Sequence, residues 1–522
     1  MKIKEILPLF LLCALYFLFR SFFWDFIPIW DARHNFLALL QANTQPFDVL
    51  NFSVAGHLTQ AVFFILSIPY LFIQKNYYMF NIWLSLFGVG SVILFYYLLK
   101  QLLLDKGKPF ELTLATALFA FHPSILSGMI FFSVDTGLLF FFLFFFLAAL
   151  HGKRWMMMVS AFLFLFSKET ALVLLPLTFL FVSMCRPFSQ TFSWVRRHIS
   201  VLIVPGAACI VFLMYKTIVR GQSPFWDVWH SYQKVDPTAL SLWKFLFWHP
   251  TPDFFNHVAL VFLLNFNWLV VLLWTGLILV DVFCGSKKDK LGWLLLAFFL
   301  SSVYFLTLVT GYFSNVRYLM LPITLLLLGT VYWLRVIVVA GYARRIILLV
   351  LLVVMLISNF RTFDPLSRGY FGVFKTGTHD MLWITKPTGE CCGYGRDQLV
   401  YNLEFLYIPR LFQKALEDLK PSGDDIIVVS SRANYEIFTS LNSNTWKATF
   451  DSKDAFTPKY MDMNDLWKHL GHLPDTIYYF ALPNVDNAQE LSALCSLYRE
   501  KALRMYDIDG YQMHVVRLMH PH

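Results

Sequence analysis

A handful of polar side chains stand out, in a wetter stretch after the first apolar run or at the junctions of later ones: Asp31, Arg33, His34, His57, Asp135, Lys168, Glu169, Arg317 and Tyr318. A carboxylate can take up a proton or hold a metal ion, and an ionised group at membrane depth is costly unless it faces a watery cavity or an opposite charge. Asp135 has no basic neighbour in sequence. It either caps the helix that follows it or serves a catalytic or metal-binding role. Lys168 and Glu169 either pair locally at the ends of two helices or project together into a polar site. Arg317 either snorkels to the membrane surface or belongs to the polar stretch Ser314-Asn315-Val316-Arg317-Tyr318, which precedes Pro322. Asp31 sits in a loop, where an acid by itself is unremarkable.

Familiar signatures are missing. There is no Walker A loop, no His-Glu-x-x-His and no Cys-x-x-Cys pair, and the 7 cysteines are too scattered for a disulfide framework or a zinc site. Of Cys391, Cys392 and Cys495 in the tail, two could form a bridge in an oxidising compartment. Trp226, Trp229, Trp243 and Trp248, with His230 and His249, fall in one long loop and read as interfacial anchors.

The elements that must position these groups are membrane helices. The chain has 522 residues, 58% of them hydrophobic and 14% charged, with 56 Phe and 16 Trp. A soluble domain carries about 25% charged residues, so lipid is the natural solvent for most of this chain. The net charge of +9 suggests nucleic acid at first sight. Most basic residues before Asn359 instead occupy short gaps between apolar runs, the pattern of loops bordering a cytoplasmic leaflet, and no nucleic-acid partner is expected.

Apolar runs near the length of a span occur at 6–24, 80–99, 112–134, 136–150, 155–167, 170–184, 199–219, 258–283, 291–310, 318–339 and 346–358. They predict a membrane all-α region, 1–359, with about eleven transmembrane helices. The 155–167 run is short for a bilayer, which would leave Lys168 and Glu169 below the membrane surface. A stretch at 58–73, interrupted by Pro69, is read as an interfacial helix following a first outer loop at 25–57. Counting it as a span would put the clusters Lys106/Lys108, Lys153/Arg154, Arg186/Arg196/Arg197, Lys287/Lys288/Lys290 and Arg344/Arg345 outside, against the positive-inside bias. With the N-terminus in the cytoplasm, Asp31, Arg33, His34, His57, Asp135, Lys168, Glu169 and Arg317 all fall on the outer face. No cleavage pattern follows Lys2 and Lys4, so the first helix reads as retained.

The tail, 360–522, reads as a soluble extracytoplasmic α/β domain. Buried strands are expected at 425–430 and 476–481, and a hairpin around Asp509-Gly510. Helical periodicity covers 396–419, with Pro409 inside it, and 488–503.

Five short motifs, in order along the chain, resemble the GT-C superfamily of integral membrane glycosyltransferases. The likeness is nearest to the polyprenyl-phosphate-sugar-dependent branch that includes protein O-mannosyltransferases and lipid A aminoarabinose transferases. The motifs are Trp30-Asp31-Ala32-Arg33-His34, Gly56-His57-Leu58-Thr59, the segment from His122-Pro123-Ser124 to Ser133-Val134-Asp135, Ser167-Lys168-Glu169-Thr170 with Pro176, and Val316-Arg317-Tyr318 with Pro322. The resemblance implies that Asp31 is the catalytic base and that Asp135 is a second catalytic carboxylate. It implies that Arg317 and Lys168 hold the donor phosphate, and that His34, His57, Glu169 and Tyr318 position substrate. A divalent metal, Mg or Mn, would fall to Asp31, Asp135 and Glu169.

The implied partners are a polyprenyl-phosphate sugar donor and a glycan, lipid or protein acceptor. The implied location is a cell membrane, with the bacterial inner membrane preferred. The chain departs from the pattern in two places: Ala32 follows Asp31 where many relatives have Glu, and the interfacial helix lacks a Lys near its start. A transporter or flippase of a lipid-linked or polar solute, or a non-catalytic scaffold, are the rival readings. The transporter reading lacks inverted repeats and broken midplane helices in its support.

Overall fold

A computed structural model describes residues 3–26, 36, 60–68, 77–103, 109–130, 134–220, 260–284, 290–310, 316–361, 365–376, 379–382, 398–421, 425–429, 459–462, 466, 475–481 and 488–520. Asp31, Arg33, His34 and His57 lie outside these residues, as do the tryptophan-rich loop and the stretch with Cys391 and Cys392.

The helices are α1 (Ile3–Ser21), α2 (Gln60–Ser67), α3 (Tyr77–Leu102), α4 (Pro109–Ala120), α5 (Pro123–Ile130), α6 (Val134–His151), α7 (Arg154–Leu165), α8 (Ala171–Met184), α9 (Phe188–His198) and α10 (Ser200–Arg220). A π-helical turn, Leu260–Asn265, precedes α11 (Trp268–Cys284), α12 (Lys290–Thr310), α13 (Val316–Ile337) and α14 (Gly341–Ser358). Among the described residues, 4 helices are long and apolar enough to cross a membrane, or 6 if each of two bent pairs counts as one span. Five more apolar helices are shorter, so length and composition yield fewer spans than the eleven expected from hydrophobic runs. The chain is a multi-pass membrane protein: α6 and α13 fill the centre of the bundle, while α1, α10 and α14 turn Leu15, Leu18, Ile210, Val211, Leu349 and Val350 outward. Large apolar side chains exposed along whole helices require lipid against them.

Two expected runs are broken. The 112–134 run divides into α4 and α5, bent by 59° at His122-Pro123. Proline lacks the N–H that would continue the ladder, and the bend turns α5 across one end of the bundle. The 258–283 run is interrupted because Asn267 adopts a left-handed φ of 63°. Its side chain then accepts from the Leu269 N–H at 3.1 Å, capping α11. The gap around Arg196 and Arg197 is itself a helix, α9, with Trp194 and His198 buried and Phe188 and Phe192 exposed.

The two ends of the bundle differ in charge. At one end, Arg344 of α14 pairs with Glu111 of α4 at 2.6 Å, Arg154 bonds Ser200, and Lys290 bonds the Arg186 carbonyl. Gly152, at φ 66°, closes α6 at this end and lets α7 begin two residues later. At the other end, Asn81 of α3 donates to the carbonyls of Trp24 and Phe26, and Asn359 donates to that of Phe121.

This second end carries a sheet. After α15 (Pro365–Phe371) and the antiparallel pair β1 (Val373–Thr376) and β2 (His379–Leu382) comes α16 (Gln398–Leu419). The remaining elements are β3 (Ile426–Val429), β4 (Lys459–Asp462), β5 (Thr476–Ala481), α17 (Ala488–Leu497), β6 (Arg499–Ile508) and β7 (Tyr511–Met519). The five strands run in the order β4-β3-β5-β7-β6, parallel through β4, β3 and β5 and antiparallel beyond. Asp509 and Gly510 take the positive φ values of 53° and 81° that a two-residue hairpin turn demands. Helix α17 stops at Leu497, short of the expected 503, because the next residues pair with β7 as a strand. One face of the sheet packs on α16, the other on α17.

The sheet is fastened to the bundle by α16. Phe26, just beyond α1, is buried with Ile408, Leu411 and Phe412, and Arg410 pairs with Asp25 at 3.4 Å. Leu406 joins the membrane core, where α16 lies on α5.

Candidate functional site

Helix α5 is the hub of the site. Its Gly128 carbonyl accepts from Thr136, the residue after Asp135, at 3.3 Å. A Cβ on Gly128 would lie 2.7 Å from the sulfur of Met320, one helical turn beyond Arg317. The absent side chain therefore lets the starts of α6 and α13 converge on one point of α5. This convergence brings Asp135 and Arg317 to the same end of the bundle although 182 positions separate them in sequence.

Asp135 lies in the first turn of α6, where the helix dipole favours an acid, and not at the cap position. Its carboxylate receives the Lys168 ammonium at 2.6 Å, and both side chains are almost fully buried. Lys168 reaches this depth because α7 has only 12 residues, about 18 Å of rise. The chain then turns through Ser167–Thr170 into α8, with the Lys168 and Glu169 carbonyls accepting from Ala171 and Leu172. Lys168 thus pairs across the bundle with Asp135. Glu169 is half-buried beside it, and Thr170 is buried.

Helix α2 closes this corner. The Ala61 N–H donates to the Phe166 carbonyl at 2.9 Å, and Val62 packs where Gly137 of α6 leaves room. Arg317 is half-buried in the first turn of α13. Tyr318 follows it in the same turn, and its side chain lies outside the described residues, as do Asp31, His34 and His57. Buried Phe36 packs its ring 5.1 Å from Phe80 of α3 at this end.

Several polar residues here carried no signal strong enough to single them out. Asn265 is fully buried at the end of the π-helical turn, its carbonyl accepting from Ser124 of α5 at 2.8 Å. Among the described residues neither atom of its amide group has a partner. π-turns in membrane helices are marked by no residue type, so only an Asn inside an apolar run hinted at it. Among the described residues no three His, Cys, Asp or Glu side chains converge as metal ligands. Asp135 pairs with Lys168, and Asp31, the first of the expected metal ligands, lies outside the described residues.

The chain is similar to ArnT from Cupriavidus metallidurans, whose crystal structure is bound to undecaprenyl phosphate, with a TM-score of 0.48 and 9% identity, over 97% of each chain. No protein-family model and no curated protein matches it.

Proposed function

We propose that this chain is a GT-C-type glycosyltransferase that moves a sugar from a polyprenyl phosphate to an acceptor at the outer face of the membrane, with inversion. The observation that carries the reading is the buried Asp135–Lys168 pair. It lies at the end of a membrane bundle where Arg317 also lies and the C-terminal sheet is fastened. Ionised side chains at such depth are rarely kept for stability alone. The basic residues Arg154, Arg186, Arg196, Arg197, Lys290, Arg344 and Arg345 gather at the opposite end, which favours a cytoplasmic placement of that end.

In this reading Asp31 takes the proton of the acceptor hydroxyl as its oxygen attacks the anomeric carbon. The bond from that carbon to the phosphate oxygen breaks, and the lipid phosphate leaves with the electron pair. Arg317 and Lys168 meet the charge that grows on the phosphate. Asp135 fixes Lys168, while His34, His57, Glu169 and Tyr318 position donor and acceptor.

The test is transfer of labelled sugar by purified protein from a panel of polyprenyl-phosphate sugars to membrane extract, comparing wild type with Asp31→Asn. Transfer by wild type and its loss in a folded Asp31→Asn variant are expected. Consumption of no donor by wild type across the panel would overturn the reading.

A further inference from the structure

Arg20 is a buried cation at this end that the proposed reaction leaves unused. It lies on the inward face of α1, in its last turn, and is 2% exposed. One terminal nitrogen donates to the Tyr16 hydroxyl at 3.2 Å, and that hydroxyl donates onward to the sulfur of Met129 at 3.3 Å. The guanidinium carbon stands 6.0 Å from the Tyr16 ring centre. The Arg20 Nε has no hydrogen-bond partner among the described residues. No carboxylate among them pairs with Arg20 either. The nearest acid in sequence among them, Asp25, is joined to Arg410, and Asp135, Glu111 and Asp418 are joined to Lys168, Arg344 and Arg504.

A buried ion without a counter-charge is among the costliest features a fold can hold. The guanidinium's fork of donors matches the oxygens of a phosphate, and the Tyr16 hydroxyl adds a group that can turn to donate. The place also suits a lipid. The opposite face of α1 exposes Leu11, Leu15 and Leu18, so Arg20 stands one helix from the hydrocarbon, near the end of an apolar helix where headgroups lie. Met129, which ties Tyr16 to α5, adjoins Gly128, which faces α6 and α13. Arg20 and the Asp135–Lys168 pair therefore flank α5 on different sides.

We infer that Arg20 and Tyr16 form an anion site, on the α1 side of α5, for the phosphate of a membrane-held lipid. In taking polyprenyl phosphate as the first probe, the inference rests on the proposed function.

The experiment measures binding of polyprenyl phosphate, inorganic phosphate and an anionic phospholipid to full-length protein in detergent, for wild type, Arg20→Met and Arg20→Lys. Thermal stability without ligand is recorded for each. Polyprenyl phosphate should bind wild type, with affinity about tenfold or more weaker in Arg20→Met, the worth of a lost charge-assisted bond. Arg20→Lys, which keeps the charge and loses the fork, should fall between, and serves alone if Arg20→Met does not fold. Ligand-free Arg20→Met should melt no lower than wild type, because it removes a charge with no counter-charge.

Equal binding by all three proteins overturns the inference and leaves the proposed function standing. Arg20-dependent binding of inorganic phosphate or phospholipid, with none of polyprenyl phosphate, supports the anion site and removes the donor reading. Failure of wild type to bind any probe overturns the inference. A lower melting point of ligand-free Arg20→Met, with unchanged binding, marks a structural cation and overturns it as well.

Discussion

Breaking the Asp135–Lys168 pair from each side tests whether it is held for stability or for chemistry. At 2.6 Å the attraction is about 6 kcal/mol with an effective dielectric of 20, and the desolvation of each ion opposes it by several kcal/mol. Asp135→Leu takes the carboxylate at 2.6 Å away from a buried ammonium, and Lys168→Met takes the ammonium away from a buried carboxylate. Each single variant should lose about 3–5 kcal/mol of stability. The double variant removes both charges, fills the space with apolar atoms, and should return to within about 1–2 kcal/mol of wild type or exceed it. The coupling energy from the four proteins, measured by reversible unfolding in mixed micelles, should therefore be several kcal/mol. Additive single losses, with coupling below about 1 kcal/mol, would refute the buried pair. Sugar transfer by the same proteins divides the roles. A stable double variant without activity assigns the pair to chemistry, and a stable, active one assigns it to structure.

Gly137→Ala should destabilise the bundle by about 1–3 kcal/mol through overpacking, since its Cβ would stand 2.4 Å from Val62 of α2. This exceeds the gain of about 1 kcal/mol from helix propensity, so a variant melting above wild type would refute the contact. Phe26→Ala should cost about 3–5 kcal/mol because its ring is 2% exposed in the core of the sheet. Faster proteolysis between α16 and β7 is the readout, and unchanged cleavage would contradict the fastening. Asp418 accepts from Tyr506 and Arg504, which hold its carboxyl below the usual range. A depressed folded pKa contributes stability that is present above the unfolded value and is lost as pH falls through the folded one. The stability gap between wild type and Asp418→Asn should thus be open at pH 7 and close in acid, and a gap independent of pH would sink that account.

Much of this was legible one residue at a time. Apolar runs marked the helices, because in lipid only an internally bonded helix satisfies its backbone. Asp509-Gly510 marked the hairpin, because these residues act through their own φ angles and need no distant partner, whereas the bend at His122-Pro123 lay unread inside the 112–134 run. Asp135 and Lys168 were visible as charges in the wrong solvent.

Their pairing was not visible, since 33 positions separate them and nothing local directs one at the other. The sequence allowed Lys168 to pair with adjacent Glu169, whereas packing of α7 against α6 turned it to Asp135. In the same way the sequence assigns no task to Arg20 near the end of the first apolar run. Only the placement of α1 against α3, α4 and the sulfur of Met129 buries Arg20. Composition and periodicity determine which solvent each segment needs, because transfer energies belong to single residues. Which charges meet belongs to the tertiary structure, because a pair energy depends on a distance that only the packed helices set.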